Sequence, residues 1–362
     1  MRADCLAQQD QAMDITELVR TSLGDPEADI AEQRVEPIHH PTGMLSTAGL
    51  SRVCGTTTTG RPWSFVVKSI QSVKHWAGLE TVPEHLRAEF VASFPWRTDV
   101  DAYLADEPLP KGLRMPRLYR LDDLGDDRLV AWMEDVEACT EPWDLDRYRT
   151  AARLLGELAA SRPATASANL GLHALYQGPI VNLFLPALAD PTTWRHPLLP
   201  GGDDPLRTDI LAIADLLPEI IRVVDRLPYT HVHGDASPAN LLVPVDGSAD
   251  FVAIDWSWGA PAGIGFDLGQ LLVGQSHDGV TEPEDLPVIH DTILAAYTDA
   301  FEADVRLGYV GALVVRSLWT ALPLERLSEE PTPELAEFFR KRVGLARFIT
   351  ALFTTHVRPY VA

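Results

Sequence analysis

Cysteine, lysine and asparagine are scarce in this chain, and each scarcity narrows the reading. Three cysteines stand among 362 residues, at positions 5, 54 and 139. They are far apart and odd in number, so they form neither a disulfide framework nor a metal-ligand spacing, which fits a reducing cytoplasm. Basic residues number 30 against 52 acidic ones, for a net charge of −22. Both ends of the chain share that sign, so a surface for nucleic acid is not expected, because binding phosphates needs clustered positive charge. The acidity would suit a cationic partner, although solubility accounts for it equally well. No apolar run approaches a membrane span; 308–323 comes nearest, and Arg316 interrupts it. The first ten residues hold Arg2, Asp4 and Asp10 and lack the apolar stretch of an export signal, so a cytoplasmic location is expected.

Hydrophobic residues make up 46% of the chain, enough for sizeable cores in two or three lobes. Residues 1–32 read as an amphipathic helix (Ile15, Leu18, Val19, Leu23) ending near Gly24-Asp25-Pro26, and 34–38 as a strand. His39-His40 has nothing nearby to complete a metal site. Residues 43–60 hold Gly43, Gly49, Gly55 and Gly60 with Ser46, Thr47 and Ser51 between them. Such a stretch suits a loop whose N–H groups cradle phosphates, and an ordinary hairpin explains the glycines as well. Residues 63–68 alternate as a strand, with Trp63, Phe65 and Val67 on one face and Ser64, Val66 and Lys68 on the other. Only four lysines exist in the chain, and Lys68 ends an apolar strand, where it meets an anion or reaches back to solvent.

A helical pattern covers 81–106, clearest after Pro95, and strands are expected over 113–121 and 129–132 around an acidic turn at 122–127. A boundary falls near residue 137. Beyond it, helices are expected over 142–160, 205–226, 287–304, 306–322 and 333–356. Residues 161–204 read as irregular and 256–265 as a loop.

The densest chemistry lies between residues 229 and 255. His233, Gly234 and Asp235 follow a short apolar run, Asn240 comes five residues later, and Asp255 follows two more apolar runs separated by a turn at Asp246-Gly247. With only three asparagines in the chain, one at this register carries weight. A carboxylate that can orient a hydroxyl, then an amide oxygen, then a second carboxylate after a hairpin, is a donor set suited to phosphoryl transfer from a magnesium nucleotide. A Gly/Pro loop with turn-forming Asp and Asn is the plain alternative.

His233-x-Asp235-x-x-x-x-Asn240 followed by Ile254-Asp255 resembles the signature of the aminoglycoside phosphotransferase and choline kinase group, relatives of protein kinases. The resemblance runs over residues 43–275. It implies an α+β, protein-kinase-like two-lobe fold. Residues 1–137 would form a nucleotide-binding lobe, a small antiparallel sheet with one main helix; residues 138–362 would form a larger helical lobe carrying the catalytic loop and acceptor site. It implies ATP and Mg2+ as cofactors. Asp235 would be the catalytic carboxylate and Asn240 and Asp255 the metal ligands. His233 would shape the loop, and Asp267 would cap the following helix and brace the catalytic loop. On the nucleotide side it implies Lys68 on the phosphates and Val66 against the adenine. Ser46 and Thr47 would lie in the phosphate loop, and the backbone near Glu134 and Val136 would form the hinge. Asp99 stands where the group carries a glutamate. Being one methylene shorter, it requires a closer helix, or Asp101 or Glu89 takes the role. The expected activity is transfer of phosphate to the hydroxyl of an aminoglycoside-like or other small metabolite, such as an amino sugar or a choline-like alcohol; a nucleotide-binding pseudokinase is the other reading. Asp235→Ala is expected to abolish turnover and spare the fold.

Overall fold

A computed structural model describes residues 14–38, 45–165, 172, 175–301 and 305–361. The chain divides into two compact units, Met1–Asp106 with Met115–Glu137, and Glu107–Arg114 with Ala138–Ala362.

In the first unit a helix, Thr16–Leu23, stops at Gly24, whose φ of 61° supplies the left-handed cap. The expected helix over 1–32 therefore gives way to strand β1 (Ile30–Pro37); residues 1–13 and the His39-His40 pair lie outside the described residues. Strands β2 (Thr47–Thr57) and β3 (Pro62–Gln71) follow, then helices Glu84–Ser93 and Thr98–Ala105, separated at Pro95. The short β4 (Leu113–Arg114) belongs to the second unit, and β5 (Leu118–Gly125) and β6 (Arg128–Glu134) complete the first. The strand expected over 113–121 is thus two strands in two different sheets. Unit one holds an antiparallel sheet in the order β1-β2-β3-β6-β5.

Alternation along β3 and β6 sorts the side chains of this sheet. Trp63, Phe65, Val67, Val130 and Trp132 pack with Ile15, Leu18 and Val19 of the N-terminal helix segment. The opposite face sets Ile70, Leu129, Ala131 and Met133 against Val100 of the helix Thr98–Ala105. Among the described residues of this unit, three α-helices rather than one main helix accompany the sheet. The β5–β6 turn has φ of 53° at Asp126 and 55° at Asp127, a tight two-residue hairpin, and Lys74 Nζ lies 2.7 Å from a carboxylate oxygen of each.

The second unit is mainly helical. Its helices Leu145–Ser161, Pro205–Val224 and Pro333–His356 begin at Asp144, Asp204 and Thr332, whose side chains accept a first-turn N–H. Phe266–His277, Leu286–Thr298 and Arg306–Ser317 bury most of their surface. The stretch 161–204 is not irregular throughout: a wide-turned helix, Tyr176–Phe184, runs into Leu185–Ala189. Between the helices lie β7 (Pro163–Ala164), β8 (Tyr229–Val232), β9 (Leu241–Leu242), β10 (Phe251–Ala253) and β11 (Ala260–Gly263), the last inside the loop expected at 256–265. They form two three-stranded sheets, β4-β10-β9 and β11-β8-β7. Among the described residues no helix is long and apolar enough to cross a membrane.

Candidate active site

In the second unit, β8 is anchored by buried Tyr229 and Val232 and releases the chain at His233. The His233 ring is fully buried and lies against Trp256, with centroids 4.4 Å apart. Its Nδ1 accepts the Asp235 N–H at 3.2 Å, so Nε2 carries the hydrogen given to the Ile254 carbonyl at 3.0 Å. One ring therefore ties the 233–240 loop to the end of β10. A second tie is the Ile254 N–H donating to the Asn240 carbonyl at 2.9 Å. Because Leu241 pairs with Ala253 across β9 and β10, Asn240 and Asp255 leave the same end of this ladder. The Asn240 amide nitrogen donates to the Asp235 carbonyl at 2.8 Å and to its Oδ2 at 3.0 Å, which directs the amide oxygen elsewhere. Asp255 has a φ of 58°, rare for a residue with a Cβ, and its Oδ1 accepts from Ser257 Oγ.

Asn240 and Asp255 give a hard cation one amide oxygen and one carboxylate. That donor set fits magnesium, which keeps water and phosphate oxygens in its remaining positions. Among the described residues no group of three or more His, Cys, Asp or Glu side chains is arranged to hold a metal ion.

Two residues beneath the loop hold it in place. Asp267 is fully buried, and its two oxygens accept the His233 N–H at 3.1 Å and the Gly234 N–H at 2.8 Å. The expected helix cap is absent: Gly265 occupies the cap position and makes no side-chain cap bond, and Asp267 serves the loop alone. Burial pushes the Asp267 carboxyl up to about 6 against the pull of those two N–H groups and of Arg316. Since the folded form binds its proton more tightly than the ordinary value of 3.8 allows, stability from this group grows as pH falls from about 6 towards 4 and is level above 6. Urea unfolding across that range should show wild type gaining on Asp267→Asn as the pH falls. A constant difference would contradict the raised value.

Arg316 is the residue that sequence reasoning passed over, registering it only as a break in an apolar run. Its Nη2 lies 3.0 Å from Asp235 Oδ1, and its Nη1 donates to the Gly234 carbonyl. The guanidinium also covers the rings of Trp258 and Phe266, at 5.2 and 5.5 Å. The available signal was the charge itself, since a guanidinium within a buried helix needs a partner.

In the first unit, Lys68 Nζ meets Asp99 Oδ2 at 2.7 Å, with the two side chains 10% and 6% exposed. Asp101 pairs with Arg97 at 3.1 Å, and Glu89 is exposed, so neither takes the place of Asp99. The shorter acid reaches because its helix packs directly on the sheet through Val100. Val66 shares the Lys68 face and packs on the same cluster. Glu134 ends β6, where its N–H donates to the Arg117 carbonyl at 2.8 Å, and Val136 follows outside any strand or helix. Between them Asp135 is gripped by Arg52 Nε at 2.6 Å and by Ser64 Oγ, an anchor that the sequence did not reveal. Of the two readings of 43–60, the described residues show the hairpin: Gly49 and Gly55 lie within β2, and Gly60 turns with a φ of 82°. A Cβ on Gly55 would come within 1.8 Å of the Glu32 carbonyl, so that glycine serves strand packing. Ser46 is buried with its carbonyl bonded to the Gln71 N–H at 2.8 Å, and Thr47 opens β2. Gly43 lies outside the described residues.

No family profile matches the sequence, and no curated protein does. Solved structures do. A microcompartment-associated aminopropanol kinase superposes with a TM-score of 0.52 at 14% identity, over 94% of this chain and 98% of the other. An aminoglycoside phosphotransferase from Alicyclobacillus acidocaldarius gives 0.50 at 14% identity, over 91% and 92%. At such identity the likeness speaks for the fold, and the chain has the α+β protein-kinase-like fold of these small-molecule phosphotransferase structures.

Proposed function

We propose that the chain is an ATP-dependent phosphotransferase that phosphorylates a hydroxyl of a small molecule. The observation that carries this reading is the Asp235–Asn240–Asp255 arrangement. One loop and one strand end are cross-tied by His233 and by the Ile254–Asn240 bond, which supports Asp235 as the carboxylate that would orient a hydroxyl and Asn240 and Asp255 as the ligands that would hold a hard cation. The fold adds support, since aminopropanol kinase and aminoglycoside phosphotransferase structures share it.

Magnesium–ATP, when bound, supplies the phosphoryl group and neutralises charge shifting onto the leaving ADP. Asn240 and Asp255 would hold the metal. Lys68, aimed by Asp99, would hold phosphate oxygens, with Val66 against the base and the backbone at Glu134 and Val136 along its edge. Ser46 and Thr47, at the start of β2, would lie on the phosphate side. Asp235 accepts the hydrogen bond of the acceptor hydroxyl and takes its proton late, as the new O–P bond forms and the bond to ADP breaks. The pair of Lys68 and Asp99 also stabilises the first unit. Asp99→Ala would strand a buried ammonium, and we expect a loss of about 3–5 kcal/mol in chemical unfolding together with lost transfer. Unchanged stability would show that the pair is not a buried partnership.

As for the acceptor, Asp235 is already engaged by Arg316 and by Asn240. Its charge is therefore balanced, and we favour an acceptor with no cationic group beside the reacting hydroxyl over one captured by its ammonium. A cytoplasmic location is part of the same proposal. The test is a mass-resolved screen with Mg-ATP or Mg-GTP and pooled aminoglycosides, amino sugars, amino alcohols and nucleosides, comparing intact protein with Asp235→Asn. Phosphate added to one compound only by the intact protein would establish the reaction and the acceptor together. Nucleotide binding with no product from any pool would favour the pseudokinase reading.

A further inference from the structure

Arg316 sits in the helix Arg306–Ser317 among buried Leu313, Val314, Val315 and Ser317. Its side chain is 14% exposed. The planar fork spans two successive residues of the catalytic loop, taking the carbonyl of Gly234 and Oδ1 of Asp235. Asn240 takes the other carboxylate oxygen. Asp235 is thereby held from both sides, with one protein donor on each oxygen and room on each for one more hydrogen bond. The guanidinium carbon also lies over the rings of Trp258 and Phe266.

We propose that Arg316 is a positioning residue for phosphoryl transfer and acts through Asp235, by locking the carboxylate's plane to the backbone of the residue before it. This rests on the function proposed above. A carboxylate free to rotate would meet the acceptor hydroxyl in the wrong orientation for much of the time, and misplacement by about 1 Å costs about 100-fold in rate. Lysine keeps the charge but has no fork, so it can hold only one of the two oxygens well.

The experiment follows inorganic phosphate released from Mg-ATP with water as the acceptor. The proteins are wild type, Arg316→Lys, Arg316→Met, Asp235→Asn and the Asp235→Asn/Arg316→Met pair. In the wild-type background, Arg316→Met should lower kcat about 100-fold, with KM for Mg-ATP within about twofold. In the Asp235→Asn background the same change should cost nothing further, because the residue acts only through the carboxylate. Equal losses in both backgrounds, or a raised KM at unchanged kcat, would overturn the inference. Should the methionine variant fail to fold, Arg316→Lys decides: a loss in kcat of about tenfold at wild-type melting temperature is expected, and wild-type turnover would refute it. A wild type that neither releases phosphate nor adds it to any compound of the screen would overturn the proposed function and this inference with it; where only transfer is seen, the five proteins are compared on transfer. That result is distinct from any pattern among the variants.

Discussion

Asp235→Asn is expected to lower phosphate transfer by about 10²–10⁴-fold while the protein melts near the wild-type temperature. Asparagine keeps the size of the side chain and an oxygen for Arg316, and the Asn240 amide keeps its bond to the backbone carbonyl of residue 235. Alanine, the substitution the sequence alone suggested as harmless to the fold, would leave the Arg316 guanidinium and the Asn240 amide facing an empty space. Removing the carboxylate from this partly buried charged pair is destabilising, so Asp235→Ala would mix instability with lost chemistry. Steady-state kinetics with a melting curve separates the two: lost turnover at unchanged melting assigns the role to the carboxylate. Retained turnover in Asp235→Asn would remove Asp235 from the mechanism.

Gly234→Ala is expected to have the largest effect on stability. Gly234 has a φ of 85°, where a Cβ is strained, and the Cβ would stand 2.0 Å from the Trp258 carbonyl oxygen. That neighbour is backbone and cannot swing aside. The loop cannot shift as a unit either, because the Gly234 N–H is held by Asp267 and its carbonyl by Arg316. Left-handed strain alone costs about 1–2 kcal/mol, and with the clash the total should exceed about 4 kcal/mol. Gly202, whose Cβ would meet nothing within 4 Å, is the control. Gly202→Ala should stay within about 0.5 kcal/mol of wild type. Comparable unfolding energies for the two variants would show that residue 234 is not confined as described.

Much of the site was legible because its signals are local. Alternation over residues 63–68 placed Lys68 on the face opposite Trp63, Phe65 and Val67, and those three side chains are 4%, 0% and 4% exposed. The spacing from Asp235 to Asn240 fits a short loop whose ends bond to each other, as the Asn240 amide does with Asp235. Other features were read wrongly for a physical reason. Glycines at 49 and 55 looked like a loop because glycine marks both turns and close strand approach, and Gly55 belongs to the second kind. Asp267 stood one residue into a helix, where an acid often caps, and the loop beneath which it lies could not be seen from position alone.

The sequence by itself determined the long helices of the second unit, the faces of β3 and the register of the His233-to-Asp255 stretch, because periodicity and turn chemistry act over a few residues. Tertiary structure alone decided which polar groups became partners. Asp99 and Asp101 lie two residues apart, about 200° around one helix, and only packing through Val100 turns Asp99 to Lys68 and leaves Asp101 to Arg97. Arg316 meets Asp235 from 81 residues away and Asp267 meets Gly234 from 33. Such pairs are set by desolvation. A charge buried by the apolar residues around it must find its counterpart in whatever segment the fold brings alongside, and no local pattern records which segment that is.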